Sequence, residues 1–204
     1  MKYKHFKQAL LFKVGSYKKL VNMDYSATQK YWLYLRPNCR RELKVRDYFD
    51  SRGTECFVPM HKVVRVIHGK EILMDVPVMG NMVFVKTSYE NMLEAKSALE
   101  ALGIPVMLRM DSVHHTRPII IPDKQMEDFI RVCNDQFSRF VDGRYSDNLE
   151  KNDYVEIISG RFAGVRGYYA RPFKDKCVVC VVEGLAVCTT YIPAYALKII
   201  EKGK

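Results

Sequence analysis

The chain has 204 residues, 48% of them hydrophobic, and 33 Lys and Arg against 23 Asp and Glu give it a net charge of +10. That length buries one sizeable core or two small ones, with two domains the better expectation, and the positive balance suits a polyanionic partner without specifying a fold. No apolar run approaches the roughly 18 residues of a bilayer span, which excludes an integral membrane protein, and six cysteines fit a cytoplasmic chain with reduced thiols.

Residues 1–30 carry Lys2, Lys4, Lys7, Lys13, Lys18, Lys19 and Lys30 against Asp24 alone, a basic N-terminal extension that suits either a polyanion contact or a solvated tail. Its apolar Ala9-Leu-Leu-Phe12 is broken by Lys13 and followed by no small-residue cleavage site, so it is not read as a signal peptide. Residues 31–36, aromatic and branched, predict a strand closed by Pro37-Asn38, with Asn38 capping a helix over 39–52 that ends at Gly53. A second strand over 55–58 stops at Pro59. Residues 63–67 and 71–76 read as a hairpin around His68-Gly69-Lys70, and 82–86 as a buried strand. Amphipathic helices follow over 89–102, ended by Gly103, and over 122–137, with Pro122 first and Met126, Phe129, Ile130 and Cys133 on one face; residues 106–110 form a strand between them. These elements are too closely joined for repeated parallel crossovers, so residues 31–137 predict an α+β domain on a largely antiparallel sheet.

The pattern then changes. Residues 138–149 are polar, with Asp142-Gly143 and Ser146-Asp147-Asn148, and read as a linker. Residues 150–204 contain only strand patterns, over 154–158, 167–170, 176–182, 187–192 and 197–200, which predict a small five-stranded barrel. Between the first two, Val155-Glu-Ile-Ile-Ser-Gly-Arg-Phe-Ala-Gly-Val-Arg-Gly-Tyr-Tyr169 places Gly160, Gly164 and Gly167 where a bent hairpin would need φ > 0.

That hairpin resembles the KOW motif. Upstream, Tyr31-Trp-Leu-Tyr-Leu-Arg36, the basic helix after it, Cys56-Phe-Val-Pro59 and Val76-Pro-Val-Met-Gly-Asn-Met-Val-Phe-Val85 resemble, in order and spacing, the NGN domain of the NusG family of transcription factors. The resemblance covers residues 31–202 and is nearest to the specialised RfaH and UpxY type antiterminators, which it links to long polysaccharide operons. One departure stands out: Met79 and Met82 occupy positions where the family usually carries an aromatic residue and a tyrosine.

The resemblance implies that Tyr34, Met79, Met82 and Phe84 form a surface docking on the clamp helices of RNA polymerase. Alternation along the strand supports one element of this. If Val83 and Val85 pack under the helices, Met82 and Phe84 lie on the opposite face, which is either an exposed patch or covered by another segment of the chain. Arg40, Arg41 and Lys44 lie on one side of the first helix, either as a ridge for non-template DNA phosphates beside the bubble or as an ordinary solvated face with Asp47 and Asp50. In the KOW tip, Arg161 and Phe162 are implied contacts for a ribosomal protein or the Rho factor, with Phe162 as a cover for the barrel end the alternative. The β-branched composition of these strands argues against a helical hairpin of the RfaH kind.

Catalytic signals fail. Cys177-Val-Val-Cys180 has zinc-knuckle spacing but lies in an apolar strand, where a separation of three puts the sulfurs on opposite faces; buried thiols are the reading, even with Cys188 nearby. His114-His115 reads as a loop pair, and the glycine run lacks the ending of a phosphate-binding loop. No catalytic residue, metal or cofactor is expected. The expectation is a monomeric antiterminator that binds polymerase, with a ribosome-associated KOW RNA-binding protein as the alternative.

Overall fold

The structure is a computed structural model, and it describes residues 26, 28–110, 117–141 and 149–203. Most of the basic extension, His114-His115 and most of the expected linker lie outside the described residues. No described helix is long and apolar enough to cross a membrane. The contacts divide the chain into two compact units, one ending at Asp123 and the other continuing from Lys124.

The first unit is built on a mixed-length antiparallel sheet. Strand β1 (Tyr31–Pro37) is central, paired on one side with β5 (Val83–Thr87), which carries β2 (Cys56–Phe57) on its outer edge. On its other side β1 pairs first with β7 (Ile120–Ile121) and then with β6 (Val106–Leu108). Helices α1 (Glu42–Asp50) and α2 (Tyr89–Ala101) cover one face. Leu33, Leu35, Val83 and Val85 meet Val45 and Phe49 of α1 and Met92, Ala95 and Leu99 of α2 in a single apolar cluster. The expected placement of Val83 and Val85 under the helices therefore holds. Ser88 caps α2 by accepting the Asn91 amide at 3.2 Å.

Helix α1 differs from its reading at the start. Cys39 and Arg40 take left-handed φ values of 58° and 53°, so the chain turns before the helix, Arg41 occupies the N-cap position, and Asn38 is too far back to cap it. Strands β3 (Met60–Ile67) and β4 (Lys70–Pro77) form a ribbon of their own, in unbroken register from Met60↔Pro77 to Ile67↔Lys70. His68 and Gly69 both have positive φ, the two-residue turn whose twist matches a hairpin.

The second unit is an antiparallel six-stranded sheet in the order β13-β9-β10-β11-β12-β8, with helix α3 (Asp123–Cys133) bonded to it. Its strands are β8 (Arg139–Val141), β9 (Tyr154–Ile157), β10 (Arg166–Ala170), β11 (Cys177–Val182), β12 (Leu185–Cys188) and β13 (Leu197–Glu201). Two differences from expectation have clear causes. Residues 139–141, read as linker, pair with β12 because Phe140 and Val141 supply a short apolar strand. Strand β12 starts at Leu185 rather than 187, because Glu183 and Gly184 (φ 47° and 80°) make a two-residue turn that brings β12 straight back along β11.

The boundary between units also falls before α3 rather than after it. Asp128 accepts the Arg166 amide at 3.2 Å, Gln125 Nε2 donates to the Val181 carbonyl at 2.7 Å, and Arg131 donates to the Ala163 carbonyl at 2.8 Å, fixing the helix to the strands. In the sheet, Cys177 and Cys188 share one apolar face with Val179 and Ala186, while Cys180 Sγ lies 3.3 Å from the Arg166 carbonyl. The sulfurs three apart thus take opposite faces, as the alternation requires.

Candidate functional site

Tyr34 and Phe84 face each other across β1 and β5, their ring centroids 5.5 Å apart at 35°. The register puts them opposite the helix-covered face, with Met82 leading into β5. This face is not an exposed patch: Tyr34 is 6%, Met82 1% and Phe84 0% exposed. β1 is buried along both faces from Tyr31 to Leu35, the behaviour of a strand whose apolar residues leave neither side for water. Met79 is the exception. It sits in the loop from β4 to β5 and is 43% exposed.

That loop is tied to α1. Glu42 opens the helix, is itself buried, and accepts the Asn81 amide through Oε1. A carboxylate in the first helical turn also suits the positive end of the helix dipole. Asn81 holds φ at 67°, and a Cβ on Gly80 would lie 3.9 Å from Arg40 Cγ. Arg40 therefore runs alongside Gly80, next to Met79. Nothing in the local sequence signals this, because Glu42 and Asn81 are brought together by the fold.

The basic residues separate. Arg40 precedes α1 in the left-handed turn and is exposed; Lys44 lies on the helix and is exposed; Arg41 is half-buried and donates through Nη1 to the Gly103 carbonyl. A single helical ridge is thus reduced to Arg40 and Lys44, because the helix begins at Glu42 and Arg41 is held by the end of α2. Asp47 and Asp50 turn to Arg46, at 3.2 and 3.8 Å, as exposed pairs worth about 0–1 kcal/mol each. On the outer edge, burial and the nearby Asp50 carboxylate push the Cys56 thiol up to about 12.

In the second unit Phe162 does not project. It is buried within the β9–β10 turn. Arg161 is exposed and held: Nη1 lies 3.1 Å from Asp135 Oδ2, Nη2 3.0 Å from Thr190 Oγ1, and its guanidinium lies 5.4 Å from the Phe137 ring centroid and 4.9 Å from that of Phe162. Beside it opens a cleft of about 270 Å³ lined by Gly160, Thr190, Tyr191, Pro193 and Tyr195. The two tyrosines are exposed, Tyr195 at 85%, and the sequence reading overlooked them.

Asp128 is the second unit's most buried carboxylate among the described residues, between Lys124 Nζ at 2.6 Å and the Arg166 amide. Burial raises its pKa from the ordinary aspartate value, and the hydrogen bond and charge of Lys124 offset part of that rise. No group of three or more His, Cys, Asp or Glu among the described residues could hold a metal ion.

A family model described as "Transcription termination factor nusG" matches residues 30–130, the span from the start of β1 into α3. No curated protein sequence matches the chain. The sheet with β1 at its centre, its covering helices and the Met79 loop are therefore a NusG-family domain, the domain of factors that act in transcription elongation and termination.

Proposed function

We propose that the chain is a specialised antitermination factor that binds RNA polymerase and suppresses pausing or termination on long operons of the polysaccharide kind. The observation that carries this reading is the exposure of Met79 on the NusG-family domain, in the loop where Gly80 lies alongside Arg40, with Lys44 exposed on α1. Met79 offers an adaptable apolar contact for the clamp helices. Arg40 and Lys44 offer charge to the non-template strand near the bubble, and such phosphate contacts are salt-sensitive and carry little sequence information. Tyr34, Met82 and Phe84 belong to the same reading as the face behind Met79. Being buried, they meet polymerase only through a rearrangement that exposes them, so docking is coupled to a change of conformation.

The factor has no chemistry of its own. It binds the closed, pause-resistant state of polymerase more tightly than the open one and so shifts the population toward it. Residues 150–204 act as a KOW domain that tethers a ribosomal protein or Rho through the Arg161 and Phe162 turn. A ribosome-associated RNA-binding protein is the second reading, favoured by the exposed Tyr191 and Tyr195, whose rings offer stacking faces to unpaired bases. Affinity capture with purified components separates the two. The first reading expects polymerase to be retained and retention to fall in Met79→Asp. Retention of ribosomes with no polymerase would replace it by the second.

A further inference from the structure

One end of the second unit's sheet gathers cations that carboxylates do not neutralise. The β10–β11 loop runs Arg171-Pro-Phe-Lys-Asp-Lys176 and closes on the Ala170↔Cys177 pair, so Arg171 and Lys176 flank its base. Arg139 comes to it from β8, its guanidinium carbon 4.9 Å from the Phe173 ring centroid, and Lys176 Nζ lies 5.0 Å from that of Tyr169. The Ile192 amide donates to the Lys176 carbonyl at 3.2 Å and the Tyr169 hydroxyl to the Ile192 carbonyl at 3.1 Å, which seats Tyr191 beside the loop. Arg139, Arg171, Lys174 and Lys176 are all exposed, as are Phe173 and Tyr191, at 39% and 60%. Asp175 is the one carboxylate in the loop, and among the described residues none of the four cations forms an ion pair. A cation resting on a ring keeps its full charge, whereas one paired with a carboxylate loses most of its field.

We propose that Arg139, Arg171, Phe173, Lys174, Lys176 and Tyr191 form a binding site for single-stranded nucleic acid. The four cations face the phosphates, and Phe173 and Tyr191 offer their rings to bases, the pairing of a positive track with stacking platforms that such ligands require. A duplex meets the charge but keeps its base faces within the stack, and an acidic protein meets the charge but leaves the rings without bases to stack on. The site belongs to the second unit, whereas Met79, Arg40 and Lys44 belong to the first, so it stands without the polymerase reading. It shares Tyr191 with the ribosomal reading but needs no ribosome, and purified oligonucleotides test it alone.

The test uses the full chain and a fluorescent oligouridylate of about 12 nucleotides, within the span of a single-strand site, with binding read by anisotropy. Arg171→Glu/Lys174→Glu should weaken binding at least about tenfold and lower the slope of log affinity against log salt by about 1.4, two phosphate contacts at about 0.7 each. Phe173→Ala/Tyr191→Ala should weaken it roughly fivefold or more and leave the slope unchanged, a division that general damage to the fold does not produce. If that variant fails to melt cooperatively, Tyr191→Ala alone replaces it. Lys198→Glu/Lys202→Glu makes the same change of net charge on exposed residues at the β13 end and should weaken binding by less than about threefold. Oligothymidylate bound equally well marks a site for phosphates and bases alone, and weaker binding adds contacts to the RNA 2′-hydroxyl; either result supports the site and names its source. The proposal is overturned if the wild type does not bind, if the β13 variant loses as much as the loop variant, if removing the rings changes nothing, or if a duplex or polyglutamate competes as well as the single strand.

Discussion

Gly167→Ala perturbs the fold at a close approach of two strands. The glycine pattern of the β9–β10 hairpin suggests one role for Gly160, Gly164 and Gly167, namely freedom at positive φ, and the structure separates them. Gly160 and Gly164 are left-handed with open space where a Cβ would go. Gly167 is ordinary strand backbone, and its added Cβ would lie 2.5 Å from the Val179 carbonyl oxygen and 2.8 Å from Val178 Cγ1. Real Cβ atoms essentially never come within 3.0 Å, so β10 and β11 would have to separate, and the closest obstacle is backbone. Overpacking of this kind costs about 1–3 kcal/mol, and each ladder hydrogen bond stretched in relieving it adds ~1 kcal/mol. Gly164→Ala incurs only the left-handed penalty of about 1–2 kcal/mol. Urea unfolding of the three proteins should therefore rank wild type above Gly164→Ala above Gly167→Ala, with the last losing ~2–4 kcal/mol. A Gly167→Ala protein within about 0.5 kcal/mol of wild type, the range of an inert surface change, would refute the close-approach argument.

Other expectations follow from burial and charge. Phe84→Asp places a carboxylate at a fully buried site and should lower stability by several kcal/mol, whereas Met79→Asp should stay within ~0.5 kcal/mol of wild type; equal midpoints in urea would contradict the burial of that face. Of the six cysteines only Cys39 is exposed, so Ellman's reagent should label one thiol promptly in the native protein and all six in denaturant; a second prompt thiol would contradict it. Asp128 binds a proton more readily folded than unfolded, so between pH 3.8 and its raised value the folded state holds more protons and its stability falls as pH rises. Relative to Asp128→Asn, the wild type should gain stability on going from pH 7 to about 4.5, by at most ~1.4 kcal/mol per pH unit, and a relative loss would reverse the sign of the burial argument.

The elements with strong local signals were legible. Aromatic and branched residues marked β1 and β5, Gly103 marked the end of α2, and His68-Gly69 announced the hairpin, because each depends on residues close in sequence. The NusG pattern was legible over the first domain for the same reason: it is carried by strand and helix spacing between residues 30 and 130. What escaped depends on contacts made across the fold. Arg40 and Arg41 look helical by spacing, yet the left-handed turn at Cys39 and Arg40 removes them from α1. Met82 and Phe84 alternate like an exposed face and are buried, since alternation states which face a residue takes and not whether that face is covered. The docking of α3 needed carbonyls about 30 to 56 residues away, and no helical periodicity names its receiver. Gly167 was identified as necessary but for another reason, because a collision with Val179 is invisible without the neighbouring strand.

The central claim is that this NusG-family domain acts on polymerase through Met79, Arg40 and Lys44. Read-through of a pause or terminator by purified RNA polymerase, with wild type and with Arg40→Glu/Lys44→Glu/Met79→Asp, tests it most directly. The account predicts increased read-through with the wild type, loss of most of the effect in the triple variant at unchanged thermal stability, and weakening of the wild-type effect as salt rises. No effect of the wild type on read-through, or an undiminished effect of the triple variant, would contradict it.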